Sequence, residues 1–171
     1  MVEGEGYELL DVVDENDSVI GVAERRAIHL KGLFHRSVHV FVIDRECRIY
    51  LQRRSLNKEE HPGKWDSSAA GHVHSGESYS EAAVRELAEE LGLDNPVKPL
   101  FKIPASEETG REHSMLYTAE IDGERCTPEP NPQEIEEGRF FTREQIHDLL
   151  RHAPEQVTPS FTLLLRKYVR V

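Results

Sequence analysis

The chain has 171 residues, 37% of them hydrophobic and 31% charged, with a formal net charge of −11. That length suits one domain with a proper core, here residues 1–171, and is short for two. The acidic balance argues against nonspecific nucleic-acid binding. No apolar run is long enough to span a membrane and the N-terminal stretch lacks a basic leader, so a cytoplasmic protein is expected. Cys47 and Cys126 lie far apart and outside any CxxC spacing, which reads as two reduced structural thiols.

In chain order, residues 7–22 read as two short strands around a polar turn, a hairpin that is also a candidate homodimer contact. A short irregular or helical piece over 23–31 follows, so residues 1–30 form the hairpin and its connection. Residues 38–43 form a buried strand, 44–47 its turn and 48–53 its partner. A loop over 57–64, with Pro62-Gly63, leads to a strand near 65–70. The next helix is bounded by a capping-box pattern at Ser78 and Glu81 and by a left-handed stop at Gly92. Strands near 97–103 and 115–121, a turn at Asp122-Gly123 and a proline-rich loop over 127–133 come next. A strand near 138–141, a helix capped at Thr142 and a last helix after Thr158-Pro159 complete the chain. Strands interrupted by a few helices indicate an α+β fold with mixed pairing.

The first long helix carries the chemistry. Val84, Leu87, Ala88 and Leu91 fall at i, i+3, i+4 and i+7, which predicts the stripe facing the core. Glu86, Glu89 and Glu90 then gather on the opposite face, where three like charges repel unless a cation joins them. Helix geometry alone favours an ordinary solvated acidic face, the commoner fate of Glu-rich helices. The preceding loop tips the balance: Gly71, Gly76 and Glu77 form a glycine-hinged turn that can fold another carboxylate over the helix start. Arg85 sits where a guanidinium can lock a carboxylate by a bidentate contact. Hard oxygen donors select Mg²⁺ or Mn²⁺, which bridges carboxylates to a substrate phosphate while a carboxylate takes a proton from water.

Residues 71–93, GHVHSGESYSEAAVRELAEELGL, spell G-x5-E-x7-R-E-U-x-E-E-x-G-U with U apolar. This resembles the signature of the Nudix hydrolases at every specified position, a match with a chance on the order of 10⁻⁹ at any one start point. The resemblance implies a Nudix-type α/β/α sandwich with a mixed central sheet and with 71–93 as its loop and metal helix. It implies a Mg²⁺- or Mn²⁺-dependent hydrolase that cleaves the diphosphate bond of a nucleoside diphosphate-linked or similar small metabolite. Carried over, Glu86, Glu89 and Glu90 are metal ligands, Arg85 orients the cluster, and Glu77 supports the loop or the metal shell. Which glutamate acts as base varies in the family; Glu89 and Glu90 are candidates. Beyond the signature, Glu112 is the best-placed loop carboxylate, ahead of Glu107, Glu108, Glu134 and Glu137.

From about residue 29 to 141 the chain also resembles the isopentenyl-diphosphate isomerase branch and the bacterial hydrolases related to it. Arg53-Arg54-Ser-Leu-Asn-Lys58 followed by Pro62-Gly63-Lys64-Trp65 matches that branch's basic segment. By this resemblance Arg54 and Lys58, with His72 nearby, hold the substrate diphosphate. His29 (after a one-residue gap), His35 and His72 match three imidazole ligands of a separate metal site. Glu112 matches one of that site's two carboxylates, and Gly110 stands at the other. Where isomerases present a cysteine before Gly-His, this chain has Ala70 before Gly71-His72, which removes the acid–base group and favours hydrolysis. Isomerisation, and a binding module without turnover, are the rival readings.

Overall fold

The computed structural model describes residues 8–123 and 126–169, so the expected strand start at Tyr7 lies outside it. β1 (Leu9–Val13) and β2 (Val19–Glu24) pair antiparallel as the hairpin. Their turn is an Asx type: Asp14 Oδ1 accepts from the backbone N–H of Asn16 and of Ser18, each at 2.9 Å. α1 (Arg25–Lys31) follows and stops at Gly32, whose φ of 61° is the left-handed cap a glycine takes without a Cβ clash. Leu10, Val12 and Ile28 bury a small satellite core between hairpin and helix.

The main sheet contains β3 (His35–Ile43), β4 (Ile49–Arg54), β5 (Trp65–Asp66), β6 (Ala69–His72), β7 (Val97–Ile103), β8 (Glu112–Glu120) and β9 (Ile135–Phe141). Its order is β5-β4-β3-β8-β7, with β6 paired to β3 and β9 to β4. β3 and β8 run parallel and the other pairs antiparallel, so the sheet is mixed. Period-two alternation along β3 sends Val38, Val40 and Val42 to one face, where α2 (Tyr79–Leu91) packs with Ala83, Leu87 and Leu91. Phe41 faces the other way, with Ile49 and Leu51, against α3 (Arg143–His152) and α4 (Pro159–Tyr168). The result is an α+β fold in which helices cover both faces of a mixed sheet. Among the described residues, no helix is long and apolar enough to cross a membrane.

Four boundaries differ from expectation: β9 begins at Ile135 rather than near 138, and the other three have a physical reason. β3 begins at His35 and β8 at Glu112, because polar residues inside the sheet are satisfied across the parallel pair, Ser37 Oγ meeting Ser114 Oγ at 2.9 Å. The single strand expected near 65–70 is two. β3 and β4 pair only at Ile43↔Ile49 and then splay, so the chain pairs with β4 as β5, crosses at Ser67-Ser68 and pairs with β3 as β6. Backbone groups freed by the splay are taken up by Ser68, whose hydroxyl accepts from Val42 N–H at 2.7 Å and donates to the Tyr50 carbonyl.

The expected stripe on α2 is also corrected. Val84 and Ala88 are exposed, and the inward positions are Ala82, Ala83, Glu86, Leu87, Glu90 and Leu91. Two carboxylates therefore occupy places that a reading by apolarity gives to hydrophobic residues.

Candidate active site

α2 is held at both ends. Ser78 accepts from Glu81 N–H while the Glu81 side chain accepts from Ser78 N–H, a complete capping box. At the other end the proline-rich loop closes open carbonyls: Glu129 N–H donates to Leu91 O and Asn131 N–H to Glu90 O, both at 2.8 Å. A helix so fixed presents its acids in a defined place.

Glu86 and Glu90 point into β6 and are only 8% and 4% exposed, whereas the Glu89 side chain is 60% exposed. Gly71 makes the approach possible, since a Cβ there would lie 2.1 Å from Glu86 Oε1. Glu90 Oε2 accepts from Ala70 N–H at 3.1 Å and from the Gln52 amide at 2.6 Å. Burial raises the Glu86 carboxyl to about 7 against the pull of Arg85, and burial together with the neighbouring Glu86 charge raises Glu90 well above the ordinary range.

Arg85 binds Glu77 with two nitrogens, Nε to Oε1 at 2.9 Å and an Nη to Oε2 at 3.0 Å. It also donates to Glu86 at 2.6 Å, Glu89 at 3.3 Å and the His72 carbonyl at 2.9 Å. Glu77 receives His74 N–H as well, at 2.9 Å, so both of its oxygens are engaged in closing the loop onto the helix. The donor set of Glu86, Glu89 and Glu90 is all oxygen, and two of the three are carboxylates that burial penalises when charged. That set fits a hard divalent cation, which would relieve the penalty.

The opposite face of β6 carries imidazoles. Alternation turns Gly71 toward α2 and His72 away from it, beside His35 on β3, with His29 of α1 above. One ring nitrogen from each of His29, His35 and His72 lies within 4.8 Å of the other two. Glu112 Oε1 sits 3.4 Å from His35 Nε2 and 3.3 Å from His72 Nε2. Glu8 lies 3.4 Å from His72 Nδ1, and Glu60 3.1 Å from His29 Nδ1.

Burial alone would lower His72, but Glu112 and Glu8 outweigh it and raise the imidazole to about 9. Burial likewise opposes Glu112, yet His35 and His72 hold it well below the usual carboxylate range. His29 Nε2 is buried without a hydrogen-bond partner and His35 Nε2 has only the 3.4 Å approach of Glu112, and ring nitrogens so left in a cluster of imidazoles suit a borderline metal ion.

The sequence candidates thus divide between two places. Glu77, Arg85, Glu86, Glu89 and Glu90 assemble on the α2 face, whereas Glu112 and His72 assemble with His29 and His35. Gly110, at the position of the missing carboxylate, has a φ of 66° in the turn before β8. Arg54 Nε donates to Glu60 O at 3.0 Å and its guanidinium lies 3.7 Å from Asp66, while Lys58 is ion-paired with Glu134. Both expected phosphate cations therefore have protein acceptors.

Sequence reading missed Glu8 and Glu60 as partners of the imidazoles, and Gln52 as a partner of Glu90. It also missed the fully buried His39, whose Nδ1 meets Ser67 Oγ at 2.8 Å and whose pKa burial lowers. A polar Gln52 in the buried run of β4 was the one available signal.

Comparison with known proteins bears on the family and the fold. The Nudix domain family matches residues 33–161. An isopentenyl-diphosphate Delta-isomerase of Streptomyces griseus is 34% identical over 165 residues, covering 92% of this chain and 81% of that protein. An uncharacterized Nudix hydrolase of Streptomyces coelicolor is 41% identical over 119 residues, covering 68% of this chain and 66% of that protein. A Deinococcus radiodurans protein known from its crystal structure superposes with a TM-score of 0.81 at 31% identity, covering 94% of this chain and 98% of that one. Members of the family generally use divalent metal ions. The chain belongs to the Nudix hydrolase family, in the branch related to isopentenyl-diphosphate isomerase.

Proposed function

We propose that this protein is a Mg²⁺- or Mn²⁺-dependent hydrolase of the diphosphate bond in a nucleoside diphosphate-linked or similar small metabolite. The observation that carries the reading is the buried pair Glu86 and Glu90, of which Glu86 is admitted against β6 by Gly71 and tied by Arg85 to Glu77, while Glu90 is held by Gln52 and Ala70 N–H. In this reading Glu86, Glu89 and Glu90 hold the cation. When bound, it neutralises phosphoryl oxygens and makes a water more acidic. Arg85 keeps the acids in register, and Glu77, with both oxygens engaged, supports the loop. Glu89 or Glu90 takes the water's proton. Arg54 and Lys58 exchange Asp66, the Glu60 carbonyl and Glu134 for the substrate diphosphate.

Glu112 goes with the imidazoles, as a ligand of a second metal ion held by His29, His35 and His72; the convergence of one ring nitrogen from each histidine and the unpartnered His29 Nε2 support that assignment. A homodimer through the hairpin is supported by the exposed Val19, Ile20 and Val22 of β2.

The test is turnover of a panel of nucleoside diphosphate derivatives with Mg²⁺ or Mn²⁺ in heavy-oxygen water, with products identified by mass spectrometry. Metal-dependent cleavage that puts heavy oxygen into a phosphate product is expected. Failure to cleave any member overturns the reading. The relatives named isomerases make isoprenoid diphosphate isomerisation the second reading. Against it stands Ala70, which faces the imidazoles opposite His39 and has no proton to transfer. Incubation with isopentenyl diphosphate in heavy water discriminates, since only isomerisation places deuterium on carbon.

A further inference from the structure

The splay between β3 and β4 opens a gap that one side chain of β4 fills. Alternation along β4 turns Tyr50 and Gln52 toward α2 and Leu51 away from it. Gln52 is 1% exposed. Its Nε2 donates one hydrogen to Glu90 Oε2 at 2.6 Å and the other to Ser68 O at 3.3 Å. Both neighbours of that nitrogen are acceptors, so the amide has one tenable orientation; turned over, its carbonyl would face two other oxygens. Ala70 N–H donates to the same Glu90 oxygen at 3.1 Å. Two donors thus converge on Oε2, while among the described residues Oε1 has no hydrogen-bond donor.

We propose that Gln52 is a positioning residue for Glu90: with Ala70 N–H it clamps one carboxylate oxygen and presents the other toward the metal-binding acids. This rests on the metal-dependent reading above. The terminal torsion of a glutamate is broad and two-fold, so a single backbone donor leaves the carboxylate free to swing. A second donor, itself anchored to the crossover at Ser68, removes that freedom. Ser68 is held in turn by Val42 N–H and the Tyr50 carbonyl, so the clamp is built into the sheet rather than into a loop. Neighbours that orient a metal ligand in this way are typically worth roughly 10- to 100-fold in affinity or activity.

The experiment uses the full chain and titrates Mn²⁺ in the absence of substrate, followed by electron paramagnetic resonance. Gln52→Met keeps the length and removes the donors; its Mn²⁺ affinity is expected to fall about 10-fold and kcat by about 10- to 100-fold, with KM little changed. Gln52→Glu keeps the shape and sets an acceptor beside Oε2, so a larger loss is expected. In a Glu90→Gln background, Gln52→Met should cost little more, because its effect runs through Glu90.

Circular dichroism and thermal melting report whether each variant folds, and Gln52→Glu carries the test if Gln52→Met does not. If the parent binds Mn²⁺ and a folded variant binds it equally well with unchanged kcat, the clamp is refuted while the metal site stands. If the parent binds no Mn²⁺, the metal site is refuted and the clamp with it.

Discussion

The two faces of β6 hold clusters of similar size and opposite electrostatic character. On the α2 side Glu77, Glu86 and Glu89 share one guanidinium, Glu90 lies beside them without it, and the buried carboxyls of Glu86 and Glu90 are raised, Glu86 to about 7. On the other side three histidines face Glu8, Glu60 and Glu112. There Glu8 and Glu60 are lowered to about 2, against the burial that opposes both, by the imidazoles of His72 and His29, and His72 is raised to about 9. The first cluster has more negative charge than its surroundings can stabilise; in the second, the His72 imidazolium is paired with Glu112 and Glu8. A cation on the α2 side therefore relieves repulsion, whereas one among the histidines must displace the His72 proton and compete for ring nitrogens with carboxylates already in place.

The sharpest way to break that contrast is Glu90→Gln, which keeps the shape and removes one buried charge. Turnover should fall on the order of 10³-fold, since a metal ligand and a candidate base are both lost. The metal-free protein should melt higher, because the folded chain no longer holds a carboxyl against the ionisation that the unfolded chain permits. A variant that loses activity and also melts lower would show that Glu90 is held as a stable, compensated group. Next in size is Gly71→Ala. Its Cβ would meet Glu86 Oε1 at 2.1 Å and force the carboxylate off β6, so about a 10²-fold loss is expected in a steady-state assay. Gly21→Ala in the hairpin, where a Cβ would meet nothing nearer than 4.0 Å, should leave turnover unchanged.

What was legible in the sequence follows the range of the forces involved. The ends of α2 could be read because a capping box and a left-handed glycine act within four residues, and Ser78, Glu81 and Gly92 do what their spacing says. The hairpin turn at Asp14 is equally local. Apolarity misplaced the inward face of α2 because Glu86 and Glu90 are buried for their chemistry, against their transfer preference. The break between β5 and β6 depends on where β3 and β4 separate, which no window along the chain contains. Helical spacing gathered the acids and the signature word assigned them a cation, but pairing Glu8 with His72 or Glu60 with His29 required the folded chain.

A smaller effect is the pH dependence of stability without metal. Glu86 at about 7 lies above its ordinary 4.5, so its contribution is full below 4.5 and is lost as pH rises through 7; Glu90 acts in the same direction. His72 at about 9 lies above 6.5, so its contribution is full below 6.5 and is lost through 9. Glu8 and Glu60, lowered to about 2, contribute above 4.5 and lose that only as pH falls toward 2. Stability of the chelator-treated protein should therefore decline between about pH 5 and pH 9, by on the order of 5 kcal/mol, or about 15 °C in Tm. Saturating Mn²⁺ should flatten the part of the decline that ends near neutrality, because it binds the charged acids. A melting curve unaffected by pH, with or without metal, would mean that the α2 acids carry no stored repulsion.

The smallest change tests whether the two faces are independent. Glu112→Gln keeps the contact geometry with His35 and His72 but removes the charge that holds His72 up, while Glu8 remains on its other nitrogen. The His72 pKa should fall from about 9 by about 1 unit, equivalent to about 1.4 kcal/mol, followed by NMR titration of its ring protons. Mn²⁺ affinity at the α2 acids should change less than twofold, since Gly71 places the backbone of β6, with no side chain, between Glu86 and the imidazoles. An equal change at both places would instead make the carboxylates and the histidines one coupled site, and the proton lost from His72 would then belong to the same equilibrium as the proton on Glu86.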